Sequence, residues 1–238
     1  MSRPRSEFDL YAQNYLEQLD HPLRRIVAPT GANYFIRLKC EELRRIVAAS
    51  GKRPRDLFVA DIGCGIGLME EELQGEYRKI LALDLSQEML KVSQHLHPPM
   101  DGEHYICSDA LRMPLAPESV DVVLSSCLFH HMPHELLLNG IQEMSRICKR
   151  GGYIIIFEHN PYNPLTQLVV HTTPLDRNAH LLPSRKIMTA FRDAGLEAIS
   201  RRFILYGPQK LDRWLNRRVP FLSRLPLGGQ YVVVGQKC

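Results

Sequence analysis

The stretch VADIGCGIG, residues 59–67, runs an apolar strand into an acid, Asp61, and then into glycines at 63, 65 and 67. A glycine-rich loop after a strand lets a ligand lie against bare backbone, because glycine lacks a Cβ and tolerates positive φ. Around this loop, short apolar runs alternate with helical periodicity. Strands are expected at 57–63, 79–86, 103–110, 119–127 and 151–159, and helices at 67–74, 87–96, 134–149 and 184–194. Two more strands are expected at 196–207 and 230–238, and two helices lead the chain at 7–19 and 33–49. Strands this apolar belong in a sheet covered on both faces, which predicts an α/β fold with a seven-stranded, mostly parallel sheet. The last two strands need no crossover helix between them, which predicts an antiparallel last strand.

The 238 residues suit one domain with its own core. Six scattered cysteines without a CxxC pair argue against a zinc site or a disulfide framework and for reduced thiols. The first twenty residues lack an apolar core of the secretory kind, and no eighteen apolar residues run uninterrupted, so the expected location is cytoplasmic. Net charge is +4, but residues 185–238 hold eleven Lys/Arg against three Asp/Glu, which leaves the rest of the chain at −4. A basic end of this kind suits a solvated face, an anionic lipid surface or phosphate.

In an open parallel sheet the ligand lies beyond the carboxyl ends of the strands, where Gly63, Gly65 and Gly67 are expected. A phosphate loop would place a lysine after its glycines, and none follows here. A dinucleotide loop would place its third glycine at 68, which is Leu68, and a pyrophosphate there would be repelled by Asp61. An acid before the glycines fits a ligand with an amine and a positive centre. Asp84, at the end of the next strand, can accept both hydroxyls of a ribose, and Asp109, after the third, an exocyclic amine. Ribose, adenine and amine without phosphate describe S-adenosylmethionine.

The motifs VADIGCGIG, LDLSQEML, SDALRMPLAPESVDVVLSSCLFHHM and EMSRICKRGGYIIIFE come in an order and spacing that resemble the class I S-adenosylmethionine-dependent methyltransferases. Within that family the resemblance is to the large small-molecule group of the ubiquinone-biosynthesis kind. It implies a Rossmann-like fold, S-adenosylmethionine as methyl donor and S-adenosylhomocysteine as product. It also implies one methyltransferase domain: a helical lid over 1–50, a cofactor core over 51–160, and a substrate-side and hairpin region over 161–238. By the same resemblance Asp61 meets the methionine amine, while Gly63, Cys64 and Gly65 give it backbone to lie on. Asp84 holds the ribose, Leu85 and Met89 flank the adenine, Ser108, Asp109 and Ala110 meet its edge, and Ser126 and Cys127 face the methionine end. Tyr15, with Tyr11 as a second choice, closes over that end from the lid.

A hydroxyl acceptor benefits from a base, and histidine titrates near working pH. His130, His131 and His159 stand after the fourth and fifth strands, with His130 expected to face substrate and His131 to touch cofactor or loop. Glu158, His159 and Asn160 are expected to line the acceptor pocket with His130. A metal site from His130, His131 and His134 lacks other ligands at suitable spacing, so no metal is expected. Residues 208–229 interleave Leu211, Trp214, Leu215, Val219, Phe221, Leu222 and Leu225 with five Lys/Arg. Packing over the sheet edge is their simplest role; contact with an anionic membrane, or a pocket wall for a lipid-linked substrate, is the other. The leading reading is methyl transfer to a small or lipid-linked acceptor, at oxygen rather than nitrogen or carbon. The rivals are an RNA methyltransferase, against which the missing Asn/Asp-Pro-Pro-Tyr/Phe motif speaks, and a non-catalytic cofactor-binding regulator.

Overall fold

The computed structural model describes residues 6–19, 32–99 and 101–238. Its strands are β1 Phe58–Ile62, β2 Lys79–Asp84, β3 Glu103–Cys107, β4 Val120–Ser126, β5 Cys148–His159, β6 Leu196–Ile204 and β7 Gln230–Lys237. They form one seven-stranded sheet in the order β3-β2-β1-β4-β5-β7-β6. The pairs β1–β2, β1–β4, β2–β3 and β4–β5 are parallel, whereas β7 runs antiparallel to both β5 and β6.

Alternation along the central strands divides the core in two. Ala60, Ile62, Val123, Ile154, Ile156 and Val233 face one side. There they meet Ile141 and Met144 of α5 (Leu137–Ile147) and Ile187 and Phe191 of α7 (Ser184–Asp193). Val59, Val122, Leu124, Ile155, Phe157 and Val232 face the other, under Leu43, Ile46 and Val47 of α2 (Ala32–Ala49). Burial on both faces is why these strands read as continuous apolar runs rather than alternating ones.

Three further helices border the strand ends: α3 Leu68–Glu72, α4 Gln87–Leu96 and α6 Pro164–Thr172. Each of α4 and α6 starts on a side-chain cap, Ser86 Oγ accepting from Met89 N–H and Asn163 from Thr166 N–H. The expected helix over 7–19 is instead two 3-10 turns, Glu7–Leu10 and Ala12–Asn14, followed by α1 (Tyr15–Leu19). Ser6 and Asp9 cap the first turn reciprocally, and Asp9 also accepts from Ser86 Oγ at 2.6 Å, so contacts outside the segment set its course. Of the expected lid over 1–50, residues 1–5 and 20–31 lie outside the described residues.

The 208–229 segment forms α8 (Gln209–Arg218) and a 3-10 turn Pro220–Arg224. Its attachment to the fold is polar. Asp212 is buried and accepts from Tyr34 hydroxyl at 2.8 Å, Tyr206 N–H at 2.7 Å and Asn216 at 3.1 Å. Leu211, Trp214 and Phe221 remain 46%, 56% and 62% exposed. The 3-10 turn lies against the edge strand β6 and Leu215, Val219 and Leu222 are half-buried, so the segment packs over the sheet edge in part, while a buried carboxylate fastens it and leaves Leu211, Trp214 and Phe221 largely in solvent.

Candidate active site

One cavity of about 560 Å³ opens at the carboxyl ends of β1, β2, β4 and β5. All the residues expected to hold cofactor line it: Tyr15, Asp61, Gly63, Cys64, Gly65, Asp84, Leu85, Met89, Ser108, Asp109, Ala110, Ser126 and Cys127. Parallel register brings them together, since Asp61 pairs with Ala82 and Leu124 on the flanking strands and all three strands end level.

The acids differ in state. Asp84 is already part of the loop: one oxygen accepts Gly65 N–H at 2.9 Å and the other Ser86 N–H at 2.8 Å. A carboxylate has about four acceptor sites, so both oxygens keep capacity for a diol. Burial raises the Asp84 carboxyl, and these two N–H groups oppose the rise. Asp61 is buried at 3% exposure and its Oδ1 has no hydrogen-bond partner. Burial pushes its carboxyl up to about 7, against the pull of Glu70 and Lys39. Glu70, on α3 and equally buried, is held well above the usual carboxylate range by burial and then by Asp61 beside it. Asp109 is exposed, with Oδ1 accepting Leu111 N–H at 2.8 Å.

These features fit S-adenosylmethionine on two observations. An orphaned, buried carboxylate oxygen at Asp61 awaits a donor such as an ammonium. At Gly65, with φ +58°, an added Cβ would meet nothing closer than the Tyr15 hydroxyl at 3.9 Å, so the space over the loop is open to a ligand.

Lys39 of α2 was not foreseen. It is 5% exposed, lines the cavity, and donates to Ser126 Oγ at 2.7 Å and Cys127 Sγ at 3.3 Å. The sequence does carry a signal, because Lys39 falls between Phe35 and Leu43 at i±4 on the apolar stripe of α2. Cys127 has a left-handed backbone, φ 57°. Burial would raise its thiol, but Lys39 and then His159 bring it down to about 6.

Three histidines also line the cavity. His130 is fully buried, with Nδ1 2.5 Å from Glu158 Oε2, and Glu158 Oε1 accepts Phe129 N–H at 2.8 Å. Burial would lower the imidazole, but Glu158 and then Asp176 raise it to about 10, so it carries its proton at neutral pH. His131 is lowered to about 3, by burial and then by the charge on His130, and stays neutral. Its ring takes an edge contact from Phe8 at 4.9 Å. His159 lines the cavity with Gln230 Nε2 3.4 Å from its Nδ1.

Glu158 and Asn160 are placed differently from expectation. Neither is among the lining residues. Glu158 is a buried clamp on the turn after β4. The Asn160 amide donates to Pro226 O at 3.0 Å and Gly228 O at 2.7 Å, which fastens the C-terminal insertion. His134, exposed, faces Lys186 Nζ and His180 O, away from His130 and His131.

The rest of the lining comes in part from segments that carry no motif: Leu165, Val169 and Val170 of α6, then Leu175, Leu205 and Tyr206. The amino-terminal turn closes the remaining side. Ser6, Glu7 and Phe8 line the cavity, Asp9 is tied to Ser86, and Asn178 Nδ2 reaches Glu7 at 3.4 Å. Tyr15 sits over the loop, whereas Tyr11 packs with Ala12, Ile66 and Met89.

Residues 60–156 match the family model Methyltransf_11, a methyltransferase domain. The malonyl-acyl-carrier-protein O-methyltransferase of Marinomonas sp. (strain MWYL1) is 34% identical over 117 residues, 48% of this chain and 42% of that protein. The ubiquinone biosynthesis O-methyltransferase of Leptothrix cholodnii is 27% identical over 174 residues, 67% of this chain and 72% of that protein. The chain thus spans less than half the length of the first of these relatives and more of the second. A solved S-adenosylmethionine-dependent methyltransferase from Archaeoglobus fulgidus superposes with a TM-score of 0.65 at 18% identity, covering 87% of this chain and 96% of that one. Magnesium protoporphyrin IX methyltransferase from Synechocystis, solved with bound S-adenosylhomocysteine, gives 0.65 at 13% identity over 97% of each chain. At such identities the likeness is one of fold.

Proposed function

This chain belongs to the class I S-adenosylmethionine-dependent methyltransferases, and from that premise we propose that it transfers a methyl group to an oxygen of a small or lipid-linked acceptor. The observation that carries the reading is that one cavity is lined both by the glycine loop and strand-end acids and by aliphatic residues and histidines.

When bound, S-adenosylmethionine supplies a methyl group activated by its positive sulfur. The chain's own residues would do the rest. Asp61 would accept from the amine and Lys39 would meet the carboxylate, so opposite charges fix the orientation of the methionine end. Asp84 would hold the ribose diol, Leu85 and Met89 would flank the adenine, and Asp109 would take its amine. Ser126 and Cys127 would set the depth of the methionine end below the histidines. His130, already protonated and clamped, is a poor base; His159 is the imidazole in the cavity best suited to take a hydroxyl proton. Phe8 and Tyr15 would exclude water, which strengthens interactions with the charged sulfur.

Two features support an acceptor with a lipid part. Leu165, Val169 and Val170 give the cavity an aliphatic wall, and the segments 161–172 and 208–229 expose Tyr162, Leu165, Leu168, Trp214, Phe221 and Leu227. Asn163 Nδ2 donates to Leu227 O at 2.8 Å and joins the two segments. Lys210, Arg213, Arg217, Arg218 and Arg224 accompany them, a combination suited to peripheral contact with an anionic membrane. Among the described residues no helix is long and apolar enough to cross one.

The test is incubation with isotopically labelled S-adenosylmethionine and phenolic or quinol acceptors with and without an isoprenoid tail, followed by mass spectrometry and NMR. The expected product carries one labelled methyl on oxygen, and the tailed acceptors react faster. A label found only on nitrogen or carbon refutes the oxygen assignment.

A further inference from the structure

His130 and His131, in the 3-10 turn Phe129–His131 after β4, meet Asp176, which ends the 3-10 turn Pro174–Asp176. Asp176 Oδ1 stands 3.7 Å from His130 Nε2 and 3.6 Å from His131 Nε2, and one donor atom from each of the three lies within 4.8 Å of the others. The two shorter separations are too long for hydrogen bonds. They are close to the edges, ~3.3–3.6 Å, of a tetrahedron of nitrogen and oxygen ligands ~2.0–2.2 Å from a shared centre.

Two further observations point to a ligand at that centre. Nε2 of the fully buried His130 has no hydrogen-bond partner. The other nitrogen of the same ring is held by Glu158, which turns Nε2 toward Asp176 and His131. A carboxylate on the far nitrogen is the arrangement that orients metal-binding imidazoles and raises their basicity.

We propose that His130, His131 and Asp176 form a site for a first-row divalent cation, with Zn2+ as the best match to two imidazoles and one carboxylate. All three residues line the cavity, so the remaining coordination position faces the acceptor. A cation on Nε2 takes the electron pair that a proton would otherwise hold, and that proton leaves to solvent. An acceptor oxygen would then replace water at the open position and be held beside the transferable methyl group. This role rests on the oxygen acceptor proposed above; the existence of the site does not. His134 contributes nothing, being engaged by Lys186 and His180.

The tag-free full chain, stripped with chelator, is titrated with Zn2+ by calorimetry and with Co2+ by visible absorption. The expected results are one tight Zn2+ per chain, the intense visible bands of a four-coordinate Co2+ site, and binding weakened about 100-fold in D176N and in H131Q. H134Q should bind like the unmodified chain. S-adenosylhomocysteine is titrated into every variant, so that a misfolded variant identifies itself; H131Q, on a partly exposed side chain, decides the matter if D176N fails to fold. Unchanged Zn2+ affinity in a folded D176N or H131Q overturns the inference, as does a chain that binds S-adenosylhomocysteine but no metal. Full oxygen methylation in excess chelator overturns the metal's role and leaves the proposed transfer standing. A tight Zn2+ lost with Asp176, in a chain that methylates no hydroxyl, upholds the site and sinks the acceptor assignment.

Discussion

Gly65 and Gly67 lie two residues apart in the same loop, yet replacing each with alanine should break different things. Gly67 has φ +78°, where an L-residue costs ~1–2 kcal/mol. An added Cβ would also stand 2.0 Å from Ser93 Oγ and 3.2 Å from Ser93 Cβ, on the buried face of α4. Rotating the hydroxyl relieves the first overlap but not the second, an overpacking of ~1–3 kcal/mol. G67A should therefore lose ~2–5 kcal/mol, and ~3 kcal/mol lowers Tm by ~6–12 °C in a chain of this size. Because Gly67 does not line the cavity, folded G67A should bind S-adenosylhomocysteine almost normally. Gly65→Ala pays a similar backbone cost at φ +58° without an overlap, so it should lose only ~1–2 kcal/mol. Its methyl group, however, would occupy the ligand's space, and affinity should fall at least tenfold. Adding S93G to G67A should return the overpacking share and leave the backbone share. Thermal unfolding and calorimetry read both quantities. A G65A less stable than G67A, or a G67A that S93G does not rescue, would refute this division of labour.

Other outcomes follow from the charged groups and the exposed apolar residues. Cys127 should react with iodoacetamide with a midpoint near pH 6 rather than 9, and K39M should move that midpoint upward, because Lys39 is the main group pulling the thiol down; mass spectrometry at several pH values reads it, and a midpoint near 9 in the unmodified chain contradicts the pairing. The Asp61–Glu70 pair should make stability fall as pH rises. An acid that binds its proton more tightly when folded loses native stability between its unfolded value, 3.8 for Asp61, and its folded one, about 7. E70Q removes one of the two titrating carboxyls, so its Tm should decline less steeply from pH 5 to 8; superimposable curves would count against the pair. W214S/F221S should weaken sedimentation with phosphatidylserine vesicles about tenfold while leaving S-adenosylhomocysteine affinity intact, and equal sedimentation of both proteins would dispose of the lipid contact.

The strands were legible because the double-sided burial of the sheet writes itself as apolar runs, and β1, β2 and β4 end within about two residues of where the pattern places them. The cofactor half of the cavity was legible for a related reason: its acids and glycines follow strands directly, so local sequence fixes where they stand. Lys39, Phe8 and Asp176 escaped because each reaches the cavity from an element remote in the chain, where tertiary packing decides what faces what. The same limit explains Glu158 and Asn160. Their position at the end of β5 suggested a pocket wall, but Glu158 is consumed by His130 and the Phe129 N–H, and Asn160 by two carbonyls of the insertion. The fastening of residues 208–229 depended on one buried acid, Asp212, that periodicity treats as polar and therefore outward.

The turn that carries Phe8 is fastened at both ends of the cavity, to Ser86 through Asp9 and toward Asn178 through Glu7, with the Phe8 ring on His131. A single strap across two compartments should make traffic through them sequential. The expected order is that the nucleoside enters first and leaves after the methylated product. Steady-state kinetics should accordingly show S-adenosylhomocysteine competing with the donor alone, and the D9N chain, with its fastening loosened, should drift toward random order.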